Sequence, residues 1–465
     1  ILIGMLTPCT ASVNMSGHPE AYNKATRPVI RYLLYSPPPL TSIRLSVSLA
    51  SKTMTGIKIS VDRLQVGNYV SLPLGWREHP FLFSSFKLKN EEEIELIRRL
   101  GLKLVTIIPD KSDAPPKPLN QIQPQPAEAP DTSQRQAEMQ LEKERRIEQL
   151  QQYRRDLQQC EKQFQQSLAQ VRSVMSKIQS RPLNAIGEAQ ELVNAMTEQL
   201  LSLDEMVLHL VSDSEDGNNL YFHSLNVSVL SMLLAKECNM SADEIRQVGM
   251  GALFHDIGKL KIPSQILRKT EPLTKPEQNL MAQHPRYGLD LLNLAKDFPA
   301  EAKGIVLHHH EYLDGSGPEG LKKGQLDPLT QIVSLINEYD NLCHMQAKVP
   351  YSALSGLYKQ RKAQFNPEYL SMLIRLMGIY PPGSVVQLSN GQVGLVMSVN
   401  ASRLLYPSVL VYDPRIPRQE AAIIDLQQAE LSIAKVIHPK RLPPAVFEYL
   451  NPRTRISYYF EHTKP

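Results

Sequence analysis

The chain has 465 residues, of which 42% are hydrophobic and 21% charged, with a formal charge of +4. This balance excludes a wholly disordered chain, allows about three domains, and lacks the concentrated basic face expected of a protein that binds a nucleic acid polymer. Four cysteines without a CxxC pair (Cys9, Cys160, Cys238, Cys343) exclude a disulfide framework and suit a reducing cytoplasm, and no run approaches the ~18 apolar residues of a membrane span.

Residues 1–53 begin with Ile and are interrupted by Ser36-Pro37-Pro38-Pro39; they read as a disordered extension ahead of the patterned chain that starts at Met54. Residues 54–109 read as a small α/β regulatory domain. Strands are expected at Ile57–Val61, after the Gly67 turn, in the Phe81–Phe86 run and at Leu104–Ile108, with a helix from Glu91 to Leu100. Residues 110–134 carry six prolines among Gln, Ala and Asp and read as a linker.

No Gly or Pro interrupts Asp131–Arg181, which predicts a long helix over 135–181. Leu150, Leu157, Phe164, Val171 and Ile178 recur every seven residues, and Tyr153, Cys160, Ser167 and Val174 partly fill a companion seam. That pattern predicts a coiled coil joining two copies of the chain; the alternative is a helix packed on its own domain. Residues 182–375 read as almost entirely helical, with prolines at helix ends. Beyond Tyr380-Pro381-Pro382-Gly383 the pattern changes to short strands, with a hairpin signal at Asn390-Gly391. Residues 380–465 are therefore expected to form a small β module and a tail.

Seven of the 12 histidines lie between positions 209 and 310. His255 is followed by Asp256, and imidazoles with a carboxylate suit a borderline divalent metal. One helix cannot surround an ion, so widely spaced histidines are what a site within a helical bundle requires. Spacing alone leaves a metal site and coincidence both open.

His255-Asp256 with Gly258-Lys259 resembles the signature of the HD superfamily of metal-dependent phosphohydrolases. Three further stretches resemble its HD-GYP branch: Tyr221-Phe222-His223-Ser224-Leu225-Asn226-Val227, His284-Pro285-Arg286-Tyr287-Gly288, and His309-His310-Glu311 through Leu321. The segment 54–109 is similar to the small domain of unknown function that often precedes such domains. The resemblance implies a multidomain, mainly α fold. In it an HD-type helical bundle at 182–375 lies between the N-terminal α/β unit with its coiled-coil-like helix and the C-terminal β module. It implies hydrolysis of the bacterial second messenger cyclic di-GMP to pGpG or GMP at a centre of two divalent ions, iron, manganese or another transition metal. Its expected ligands are His223, His255, Asp256, His284, His309, His310 and Asn337, with Asp256 bridging and Lys259 contacting phosphate. Asp314, Gly315, Gly317 and Pro318 would form the loop over the substrate, and Glu311 would shape that loop. Diguanylate cyclases are expected partners, beside a second copy of the chain.

Three positions depart from the family pattern. Gly317 is followed directly by Pro318, so the tyrosine of the GYP triplet is missing. Asn219 stands where the three-metal subgroup has Glu, which implies two metals. Asn337 stands where the family has its last Asp ligand, with Asp340 one helical turn away. The alternative function is accordingly a degenerate domain that binds cyclic di-GMP or a partner protein without turnover.

Overall fold

The computed structural model describes residues 56–118 and 133–462, apart from 76–77, 82, 203–205, 212–218, 296, 345–347, 401–402, 417, 419–420, 430 and 453–456. The expected extension at 1–53 lies outside the described residues. Those described divide between a smaller unit, within 1–73 and 87–126, and a larger unit, within 74–86 and 127–465.

In the smaller unit, β1 (Ile57–Ser60), β2 (Tyr69–Ser71) and β4 (Leu104–Ile107) pair antiparallel in the order β1-β4-β2. The chain re-enters this unit through β3 (Ser85–Lys87). Helix α1 (Glu91–Arg99) starts where Glu93 N–H donates to the Asn90 side chain at 2.9 Å, a conventional N-cap. It lays Ile94 and Ile97 into a core with Ile59, Val70, Val105 and Ile107. The stretch expected to be a linker from residue 110 behaves differently at first. Asp113 N–H donates to Gly67 O at 2.8 Å, Lys117 N–H to Arg63 O at 2.8 Å, and Asn68 Nδ2 to Ala114 O at 2.7 Å. Proline-rich backbone keeps its carbonyls and most of its N–H groups, so it can still be pinned to a neighbouring surface. Residues 119–132 lie outside the described residues.

The larger unit takes residues 74–86 from the middle of the expected N-terminal domain. Phe83 packs against the core of this unit, and the buried Lys143 ammonium donates to the carbonyl of His79. The long helix α2 (Ser133–Lys177) is followed by α3 (Pro182–Leu201). The seam residues Cys160, Phe164, Val171, Val174 and Ile178 are buried in the unit's own core, so over this half the heptad faces α3 and α4, not a second chain. The seven-residue spacing cannot tell the two apart, because both need one apolar stripe.

The helical bundle continues with α4 (Asn219–Glu237), α5 (Ala242–Phe254), α6 (Ser264–Leu267), α7 (Lys275–Met281), α8 (His284–Leu292), α9 (Ala300–His308), α10 (Pro328–His344), α11 (Pro350–Gln360) and α12 (Pro367–Met377). One element departs from the helical expectation: Met206–Val211 is a strand, β5. It joins β6 (Val385–Leu388), β7 (Val393–Asn400), β8 (Ser408–Val411), β9 (Ile423–Asp425), β10 (Ile433–Ile437) and β11 (Ser457–His462) in one sheet. The sheet runs β10-β6-β7-β5-β11, with β8 and β9 branching from β7. The expected tail thus supplies strands and a short helix, α13 (Pro444–Leu450). A single apolar core runs from Cys160 through the bundle to Leu450 of α13, so bundle and sheet share their interior. Among the described residues no helix is long and apolar enough to cross a membrane.

Candidate metal centre

Helix α5 begins with a capping box, in which Ser241 N–H donates to Glu244 Oε2 at 2.7 Å and Glu244 N–H to Ser241 Oγ at 3.3 Å. Its last turns are wholly buried, and it ends by delivering His255 and Asp256 to the bundle interior, both almost fully inaccessible. A short 3-10 turn, Ile257–Lys261, follows and crosses the start of α8. A Cβ on Gly258 would lie 1.9 Å from the carbonyl oxygen of His284. Only glycine permits this crossing, which brings His284 onto Asp256. His309 and His310 arrive just past the end of α9, and His223 from within α4.

The side chains converge on the Asp256 carboxylate. Asp256 Oδ2 lies 3.5 Å from His223 Nε2 and 3.4 Å from His255 Nε2; Oδ1 lies 3.2 Å from His284 Nε2 and 3.7 Å from His309 Nε2. His310 Nε2 is 3.3 Å from His284 Nε2. Two groups result that share Asp256: His223, His255 and Asp256, and Asp256, His284, His309 and His310.

The hydrogen bonds on the far side of the rings reveal the fit to metal. His255 Nδ1 donates to Ala252 O at 2.7 Å, His284 Nδ1 to Met281 O at 2.7 Å, and His309 Nδ1 to Val306 O at 2.9 Å. A neutral imidazole has one N–H, so these bonds leave each Nε2 a bare lone pair pointing inward. Two such atoms, on His284 and His309, then face each other at 3.2 Å. Asp256 Oδ1, fully buried, accepts no hydrogen bond. Lone pairs and an orphaned carboxylate oxygen crowded together are unfavourable unless cations lie among them, so the donor set fits metal ions.

Charge states agree with this. Burial opposes ionisation of Asp256, but the Lys259 ammonium at 2.6 Å outweighs it and holds the carboxyl well below its usual range. Burial, then the neighbouring His310, His255 and His284 rings, keeps His309 well below the ordinary histidine value. Burial, then His284, pushes His310 down to about 3. Imidazoles that resist protonation keep their lone pairs for a metal.

Asn337 is buried on α10, and its amide oxygen accepts from Asn341 Nδ2 at 3.0 Å. Asp340 does not join either group of ligands. Its Oδ2 accepts from His223 Nδ1 at 2.6 Å, and its Oδ1 accepts from Asn226 Nδ2. Asp340, one turn along α10 from Asn337, thus lies behind His223, and Asn226, three residues along α4 from His223, holds it there. His308 stays outside both groups, 3.5 Å from Glu319.

The loop after the histidines is built on Glu311. Its buried carboxylate accepts N–H groups of Glu319 at 2.6 Å and Leu321 at 2.9 Å, and Gly317 packs so closely that a Cβ would meet Glu311 at 2.6 Å. Asp314 turns the loop by accepting Ser316 N–H at 3.0 Å and its hydroxyl at 2.6 Å. Gln364 Nε2 donates to Ser316 Oγ at 3.0 Å, tying the loop to the segment after α11. This last contact had no signal in the sequence.

Residues 178–369 match the family described as "HD domain". Residues 56–189 match the family described as "Domain of unknown function (DUF3391)". The chain is 30% identical over 250 residues to a cyclic di-GMP phosphodiesterase of Pseudomonas aeruginosa, covering 52% of this chain and 60% of that protein. It is 31% identical over 216 residues to a cyclic di-GMP phosphodiesterase response regulator of Xanthomonas campestris, covering 45% of this chain and 56% of that protein. The match thus spans little more than half the length of these curated relatives. Among solved structures, an HDG"Y"P protein from Bdellovibrio bacteriovorus is similar with a TM-score of 0.41 at 17% identity, over 68% of this chain and 98% of that one. The segment that matches this family, 178–369, carries both groups of convergent histidines.

Proposed function

We propose that the HD domain is a cyclic di-GMP phosphodiesterase with two divalent transition-metal ions. The supporting observation is the pair of ligand groups joined at Asp256, whose buried Oδ1 has no protein donor. One ion would be held by His223, His255 and Asp256, the other by Asp256, His284, His309 and His310, with Asn337 as a neutral additional donor. When bound, such ions supply Lewis acidity toward a phosphodiester and lower the pKa of water. Asp256 has two oxygens to share between the groups. Lys259, beside Asp256 yet still partly exposed, would meet a non-bridging phosphate oxygen. The loop of Asp314, Gly315, Gly317 and Pro318, built on Glu311, would lie over the dinucleotide. The relatives' names support cyclic di-GMP as the substrate. The working compartment is the bacterial cytoplasm, where diguanylate cyclases supply this substrate and can act as partners. A second copy of the chain would pair through α2, whose part before Cys160 leaves Leu141 exposed.

The test is metal analysis of the purified chain together with hydrolysis of cyclic di-GMP in added manganese or iron. About two ions per chain and release of pGpG or GMP are expected. Replacing His255 and Asp256 together by Ala is expected to abolish both. Metal-loaded protein that binds the nucleotide and leaves it intact would replace this reading by the sensor reading, which the uncharged Asn337 favours.

A further inference from the structure

The histidines of the centre are not oriented in the same way. His255, His284 and His309 each turn Nδ1 to a carbonyl three residues back in the chain, so their aim is set locally. That route suits rings at helix ends. His223 lies within α4, where the carbonyl oxygens are already taken by the helix's own hydrogen bonds. Its Nδ1 finds a partner 117 residues away in sequence, Asp340 on α10, at 2.6 Å. Asp340 also takes Asn226 Nδ2, from the same face of α4 as His223. One buried carboxylate thus clasps two points of α4.

We propose that Asp340, steadied by Asn226, is the positioning residue of His223, so that one half of the metal centre, His223 with His255, depends on the α4–α10 contact while the other half does not. This rests on the metal reading above. A carboxylate behind a ligating imidazole fixes its tautomer and makes the ligating nitrogen more basic than a carbonyl does. The two ions are therefore held by differently supported ligands. Asp340 acts through His223 and does not itself coordinate.

The test uses the full chain loaded with manganese, read by ion content, by manganese titration and by the electron paramagnetic resonance signal of coupled ions. Asp340→Asn keeps the shape and removes the charge. It is expected to weaken one ion roughly 10–100-fold, leaving the spectrum of an isolated Mn(II). His223→Ala should give the same one-ion state. Adding Asp340→Asn to His223→Ala should weaken binding no further, because both act through one ring. Asn226→Ser, which leaves the carboxylate in place, should cause a smaller loss in the same half, and it carries the test if Asp340→Asn does not fold. Retention of both ions at wild-type affinity by the variant read, loss of both together, or additive effects in the double variant would each overturn the inference. Wild-type chain that takes up no manganese would refute the metal centre itself.

Discussion

Gly258 holds the closest backbone approach in the centre, since a Cβ there would meet both His284 O at 1.9 Å and Gly288 N at 2.5 Å. Neither backbone atom can step aside cheaply. Gly258→Ala should therefore lower stability by about 1–3 kcal/mol and separate His284 from Asp256. Thermal melts and manganese content, measured together, check both effects. His79 offers a separate test, remote from the metal ligands in sequence. Burial, then the cations Lys143 and Arg415, lowers its pKa from 6.5 to about 4. Above pH 6.5 the ring is neutral folded and unfolded, and its environment costs nothing. As pH falls from 6.5 toward 4, the unfolded chain takes the proton first, and stability is lost across that window. His79→Gln should flatten this part of the melting-temperature profile; an unchanged slope would contradict the assignment.

Helix α2 shows how an apolar repeat can be used within one chain. Phe164 is fully buried and meets Phe222 edge-on at 5.4 Å, next to His223 on α4. Phe164→Ala should cost about 3–5 kcal/mol, whereas Leu141→Ala, at a position 54% exposed, should change stability little. Denaturant melts of the two variants compare them directly. If Leu141→Ala were the more damaging change, the packing face of α2 would be misassigned. Strand β5 shows the opposite limit of local pattern. Met206–Val211 has strand-like residues, but its partners are β7 and β11, so nothing near it in sequence marked it as part of a sheet.

At the scale of the whole molecule, the larger unit has one continuous core, and the His and Asp side chains that could hold metal come from four separate stretches of the bundle. Ions bound only by the folded arrangement stabilise it by mass action, by about 2.7 kcal/mol per site at a free concentration one hundred times Kd. Chelation should therefore lower the melting temperature of the entire larger unit in one transition, and manganese should restore it. Bundle and sheet melting separately would contradict the shared core. The smaller unit has its own core residues and sheet, so its transition is expected to be insensitive to the chelator.

Residue types and their order made the helical bundle and the N-terminal strands legible, because helix periodicity and strand alternation are local properties. Five histidines and Asp256 were named only through the resemblance of their motifs to the HD-GYP family, since spacing left a metal site and coincidence both open. Their convergence on one carboxylate, the carbonyls that aim three of the rings, and the clasp of Asp340 on α4 depended on tertiary structure. So did the choice of α2 to bury its seam in its own domain and of β5 to leave the helical pattern. Each of these is a contact between distant parts of the chain, and an apolar stripe or a lone carboxylate offers several possible partners until packing selects one.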